Sequence, residues 1–86
     1  MNEAGMDIHV LFFGACREAA GVDQHTLRLS APASAATAWE ALRREFPPLA
    51  AFETTVLFAI NEEHARRAHA LGAGDTLAVF PPVSGG

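Results

Sequence analysis

One segment of this chain carries a helical stripe, Ser34 to Phe46, and a double proline shuts it off. Ala35, Ala38, Trp39, Leu42 and Phe46 recur at the spacing of one helix face, with Glu40, Arg43, Arg44 and Glu45 on the wet side. Ser34 is the expected N-cap, and Thr37 with Glu40 is a competing capping-box start. Pro47-Pro48 must end the helix, because proline lacks the donor that an interior turn needs and biases the preceding residue away from helical geometry. Leu49 and Phe52 are expected to pack where the chain leaves it. The 86 residues suffice for one domain that buries about 60–65% of its unfolded surface. One helix in so short a chain must lie across whatever sheet the rest can make.

The other apolar segments read as strands. Ile8 to Phe13 is apolar on both faces, with Ile8, Val10 and Phe12 pointing one way and His9, Leu11 and Phe13 the other. Gly14 to Asp23 is expected to be a connection, punctuated by Gly14 and Gly21. Thr26 to Leu29 is a second strand, so residues 8–29 read as a hairpin with a long loop, closed by Pro32. Val56 to Ile60 is continuous rather than alternating, which predicts burial on both faces. Asn61-Glu62-Glu63 turns the chain, and a short edge strand is expected around Ala65 to Arg67. After the turn signal Gly72-Ala73-Gly74-Asp75 comes a last strand, Thr76 to Phe80, with Leu77 and Val79 inward. Pro81-Pro82 then breaks the ladder and projects Val83-Ser84-Gly85-Gly86 as an extended tail. The order β-β-α-β-(β)-β is that of an α+β, ubiquitin-like β-grasp: a mixed sheet with one main helix across one face. Residues 1–6 are expected to be a loose leader, 7–80 the domain and 81–86 the tail.

Charge and composition narrow the function. The net charge is −4 and all six basic residues are arginine. Without a basic run the chain is a poor nucleic-acid binder, and it suits a partner with a basic surface. Having no lysine, it offers no side chain as acceptor for an isopeptide bond. A single cysteine, Cys16, precludes an internal disulfide and makes a reducing, cytoplasmic setting the expectation. Glu3 and Asp7, with no long apolar run, argue against a signal peptide, and no window approaches the roughly 18–20 apolar residues of a membrane span.

Few side chains suggest chemistry of their own. Cys16 lies beside Arg17, yet a small half-buried residue is the expected reading. His9, His25, His64 and His69 have no convincing ligand spacing, so no metal site is expected. Glu40 and Arg44 form a candidate i,i+4 pair worth a few tenths of a kcal/mol. The informative feature is the tail. Two prolines stiffen its base, and two glycines end it without a Cβ, thin enough to thread a narrow channel. The α-carboxylate of Gly86 is unreactive until its oxygen becomes a good leaving group, as in an acyl-adenylate made from ATP. A sulfur nucleophile can then displace AMP and leave a thiocarboxylate. An enclosing enzyme supplies the positioning and the charge stabilisation.

The chain resembles the MoaD branch of the MoaD/ThiS ubiquitin-like sulfur carriers, the small subunits of molybdopterin synthases. The resemblance covers nearly everything after residue 6. It is carried by Val10-Leu11-Phe12-Phe13-Gly14 with Arg17-Glu18 and Gly21, by Ala59-Ile60-Asn61, by Leu71 with Gly74-Asp75, and most specifically by Phe80-Pro81-Pro82-Val83-Ser84-Gly85-Gly86. It implies that Gly86 is adenylated by an ATP-dependent, ubiquitin-activating-like adenylyltransferase and receives sulfur from a persulfide donor protein. The thiocarboxylate is then inserted into the synthase large subunit, where sulfur passes to cyclic pyranopterin monophosphate. Gly85 would give clearance, and no cofactor would be held by this chain itself.

The resemblance also marks Phe13, Phe80 and Arg17 as partner-docking residues, beside the tail residues Pro81, Pro82, Val83 and Ser84. Strand parity independently places Phe13 and Phe80 on the outer face of the sheet, where with Leu11 they are expected to form one apolar patch. Two alternatives share the tail: a sulfur carrier for thiamine, tRNA thiolation or cysteine, and a ubiquitin-like protein modifier.

Overall fold

The computed structural model describes residues 5–82. Its main helix, α2 (Ala35–Glu45), begins at Ser34, whose Oγ accepts from the Thr37 backbone N–H at 3.3 Å while Thr37 Oγ1 accepts from the Ser34 N–H at 3.3 Å. This reciprocal cap excludes the start at Thr37. Two further helix-end donors are satisfied from outside: Ala35 N–H donates to His69 O at 3.0 Å and Ala36 N–H to Arg67 O at 2.8 Å. Pro47 opens a short 3₁₀ turn, Pro47–Phe52, which brings Leu49 into the core and packs Phe52 against it.

The remaining elements are β1 (Gly5–Phe12), α1 (Gly14–Ala20), β2 (Gln24–Ser30), β3 (Ala33–Ser34), β4 (Leu57–Ile60), β5 (Glu63–Ala65), β6 (Ala70–Leu71) and β7 (Thr76–Phe80). Five of them form a mixed sheet in the order β2-β1-β7-β4-β5. β1 runs antiparallel to β2 and parallel to β7, with Val10 opposite Leu77 and Phe12 opposite Val79. β7 therefore lies in the middle, flanked on its other side by antiparallel β4. β3 and β6 make a separate two-stranded ladder. The inner face of the sheet presents Ile8, Val10, Phe12, Leu27, Phe58, Leu77 and Val79 to Ala35, Ala38, Trp39 and Leu42 of α2. Trp39 meets the Phe58 ring edge-on at 5.9 Å, and Phe12 meets Phe46 at 5.6 Å. This is the expected β-grasp.

Four expectations are corrected. The segment after Phe13 is a helix, not a connection: α1 buries Cys16 completely and ends where Gly21 adopts φ +79° and donates to Arg17 O at 2.8 Å. Strand pairing begins at Gly5, opposite Ser30, and Met6 is buried, so residues 5 and 6 belong to the domain and not to a leader. β4 is buried on one face only; Phe58 is 3% exposed, whereas Leu57 at 38% lies open on the other side. The edge strand is Glu63–Ala65, which frees Arg67 to lie over the Phe58 ring.

Arg67 belongs to a cluster around Glu53. Trp39 Nε1 donates to Glu53 Oε1 at 2.7 Å, Arg67 donates to Glu53 Oε2 at 3.3 Å and to its carbonyl, and Arg43 Nε stands 3.1 Å away. The Trp39 hydrogen bond, and then the two guanidinium groups, hold the Glu53 carboxyl below the ordinary range. These contacts tie the turn after α2 to the strap that caps its N-terminus. Among the described residues Glu40 and Arg44 make no ion pair; Arg43 is the α2 arginine that does.

Candidate functional site

The base of the tail is set by the neighbours of β7. Phe13, the residue after β1, donates its N–H to Val79 O at 3.1 Å, so the parallel ladder continues one residue past the strand. Gly14 follows with φ +55°, and a Cβ placed on it would stand 3.4 Å from Pro81 Cγ. Phe13, Gly14 and Pro81 are thus brought together, and the Phe13 side chain is left 49% exposed.

The outer face carries Leu11, Thr76, Ala78 and Ala59 side by side, because Leu11 pairs with Ala78 and Ala78 with Ala59. These side chains are short or half-buried, so they leave a cavity of about 420 Å³ lined by Leu11, Phe13, Ala59, Asn61, Glu62, Thr76 and Ala78. The floor is apolar; Phe13 closes one end and a polar hairpin turn closes the other.

That turn has a specific construction. Asn61 and Glu62 have φ of +52° and +72°, the left-handed pair that a two-residue hairpin loop requires. Asn61 Oδ1 accepts from the Thr76 N–H at 3.0 Å, its Nδ2 donates to Asp75 Oδ1 at 3.0 Å, and the other Asp75 oxygen accepts from the Gly72 N–H at 2.8 Å. The Gly72 donor first, and Asn61 second, hold the Asp75 carboxyl below the usual carboxylate range. Asn61 and Glu62 read from sequence only as a turn; their place on the cavity rim follows from Ala59 and Ala78 being paired neighbours. An asparagine entering a two-residue turn was the available signal.

The expected docking residues divide. Leu11 and Phe13 share the cavity. Phe80 lies on the same face but outside the lining, opposite Leu57 in the ladder and edge-on to the His64 ring at 6.0 Å. Arg17 is exposed on α1 and borders a different depression, with Glu18, Gly21, Val22 and Asp23. Pro81 and Pro82 follow β7 without further pairing. Val83, Ser84, Gly85 and Gly86 lie outside the described residues. Cys16 is more buried than expected, and that burial pushes its thiol pKa up.

The model of the ThiS family matches residues 10–86. The chain belongs to the ThiS family. It is 37% identical over 83 residues to the molybdopterin synthase sulfur carrier subunit of Chlamydomonas reinhardtii, a match spanning 94% of this chain and all of that one. Among solved structures it is similar to small archaeal modifier protein 1 of Haloferax volcanii (27% identity, TM-score 0.83, covering 91% of this chain and 99% of that one). It also shares its fold with a chain of the protein–protein complex of subunits 1 and 2 of the molybdopterin-converting factor from Helicobacter pylori. There the identity is 22% and the TM-score 0.67, with 94% and 100% of the two chains covered. Among the described residues, no helix is long and apolar enough to cross a membrane.

Proposed function

We propose that this chain is the sulfur carrier subunit of a molybdopterin synthase. The observation that carries the reading is the tail base: the central strand runs out through Phe80-Pro81-Pro82 beside an exposed Phe13 and an apolar cavity. A tail launched from the middle of a sheet has a rigid origin, and the apolar surface beside it gives an enclosing enzyme something to grip. The family match through residue 86 and the naming of a relative similar over its full length support the same reading.

The chemistry runs at Gly86. Its carboxylate oxygen attacks the α-phosphorus of ATP in a ubiquitin-activating-like partner, and pyrophosphate leaves. The terminal sulfur of the donor's persulfide attacks the acyl carbon and AMP leaves; a thiol then attacks the donor-side sulfur of the acyl disulfide, forming a disulfide with the donor and releasing the acyl sulfur. The resulting thiocarboxylate enters the synthase large subunit and gives its sulfur to cyclic pyranopterin monophosphate. Gly85 provides clearance, Phe13, Phe80 and Arg17 dock the partners, and this chain contributes no acid, base or metal.

Intact-mass spectrometry of the chain co-expressed with its adenylating enzyme tests the first half, with one oxygen-for-sulfur exchange at the C-terminus as the expected result. Reconstitution with a synthase large subunit tests the second; thiocarboxylated chain that yields no product from the pyranopterin would rule the pathway out. A second reading, a protein modifier, is favoured by the likeness to the Haloferax modifier. It predicts isopeptide adducts on lysines of other proteins.

A further inference from the structure

We infer that the domain is built to carry an activated acyl group without reacting with it: among the described residues it exposes no side chain that would keep the acyl group as a lasting adduct. The inference rests on the sulfur-carrier reading, in which an electrophilic Gly86 carbonyl exists while the chain passes between partners.

An acyl-adenylate or thioester is attacked by amines and thiolates. In the attack the nucleophile's lone pair forms a bond to the acyl carbon. The bond to the leaving group breaks, AMP or thiol departs with that electron pair, and the nucleophile's proton goes to water. Lysine is the common surface amine, and at pH 7 about four in 10,000 of its side chains are unprotonated and reactive. This chain has none. Its six cationic side chains are guanidinium groups, which stay protonated and have no lone pair to offer.

The sole thiol is Cys16. It sits on α1, only a few residues along the chain from Gly14, the residue that faces Pro81 at the tail base. Exposed there, it would meet the tail at high effective concentration. Instead it has no exposed surface, and burial disfavours the thiolate. His64 and His69 are exposed, but an acyl-imidazole hydrolyses back to the carboxylate and leaves no lasting adduct. The hydroxyls of the described residues are weak nucleophiles, and of those opposite His9, Thr26 lies on β2, separated from β7 by β1, while Thr76 opens β7 at the end away from Pro81. Among the described residues, then, no side chain of the same chain or of a second copy competes with the groups that partners present.

The test uses the full chain with an acetylated N-terminus and a C-terminal thioester made by intein cleavage, so it needs no adenylating partner. The parent is compared with Arg28→Lys and Arg66→Lys, two conservative changes at exposed positions away from the proposed docking surface. The parent should lose its thioester only by hydrolysis and stay monomeric by intact mass. Each lysine variant should shift to the mass of two chains joined with loss of the thiol, at a rate rising about tenfold per pH unit below the lysine pKa. In urea the parent should exchange its thioester onto Cys16, which shows that burial is what protects that group. Covalent dimers or a Cys16 thioester in the native parent would overturn the inference, and so would lysine variants as inert as the parent. A chain that passes this test but is never adenylated would instead refute the sulfur-carrier reading.

Discussion

Gly21→Ala isolates the cost of ending α1. Gly21 holds φ +79°, and a Cβ there would meet nothing within 4 Å. The penalty is therefore conformational, about 1–2 kcal/mol for a left-handed non-glycine residue. Loss of freedom in the unfolded chain returns about 0.4–1 kcal/mol. The net is about 1 kcal/mol, which lowers the melting temperature of a domain this size by about 4–8 °C. Gly14→Ala meets the same penalty at φ +55°, but its Cβ would lie 3.4 and 3.5 Å from Pro81 Cγ and Cδ. Those are ordinary contacts worth about 0.1–0.2 kcal/mol each, so the two variants should agree within a few tenths. Calorimetry, with urea unfolding at unchanged m-value, measures both. An unaltered melting temperature for Gly21→Ala would refute the left-handed cap. A loss for Gly14→Ala more than twice that of Gly21→Ala would mean that Pro81 presses on this glycine harder than the geometry states.

Three further outcomes are expected. Phe80→Ala should weaken binding to the synthase large subunit by about tenfold or more, and an unchanged Kd by titration calorimetry would remove Phe80 from the docking surface. Asn61→Ala should cost about 1–2 kcal/mol through its positive φ, whereas Asn61→Gly keeps the turn and should cost less; chemical denaturation gives the order. Asp75 and Glu53 have carboxyls lowered in the fold, so their stabilisation is complete above the unfolded pKa and disappears as pH falls through the folded one. Urea midpoints should therefore decline from about pH 4 downward, and the Glu53→Gln, Asp75→Asn double variant should flatten that limb.

Much of the architecture was legible in residue order. The inward parity of Leu77 and Val79, the Ser34 cap and the stop at Pro47-Pro48 are local signals that tertiary packing reinforces. α1 was hidden because its seven residues bury only Cys16, so no apolar stripe announces it. Helix formers from Ala15 to Ala20 followed by Gly21 were the trace it left. The open face of β4 was hidden for the opposite reason. Leu57 and Ala59 are apolar although they face outward, and an apolar run looks the same whether it meets a core or awaits a partner. The docking surface was half legible: parity placed Leu11, Phe13 and Phe80 on one face. The cavity depends on small side chains at Ala59 and Ala78, whose pairing across β4 and β7 no local pattern encodes.

The central place of β7 has a mechanical consequence. Its backbone is bonded to β1 on one side and β4 on the other, and the chain leaves it along its own axis toward Pro81-Pro82. Tension applied along β7 runs parallel to two ladders, so their bonds are loaded in shear and must yield together rather than one after another. If partner enzymes handle the tail as proposed, its base is anchored in the part of the domain best able to resist a pull.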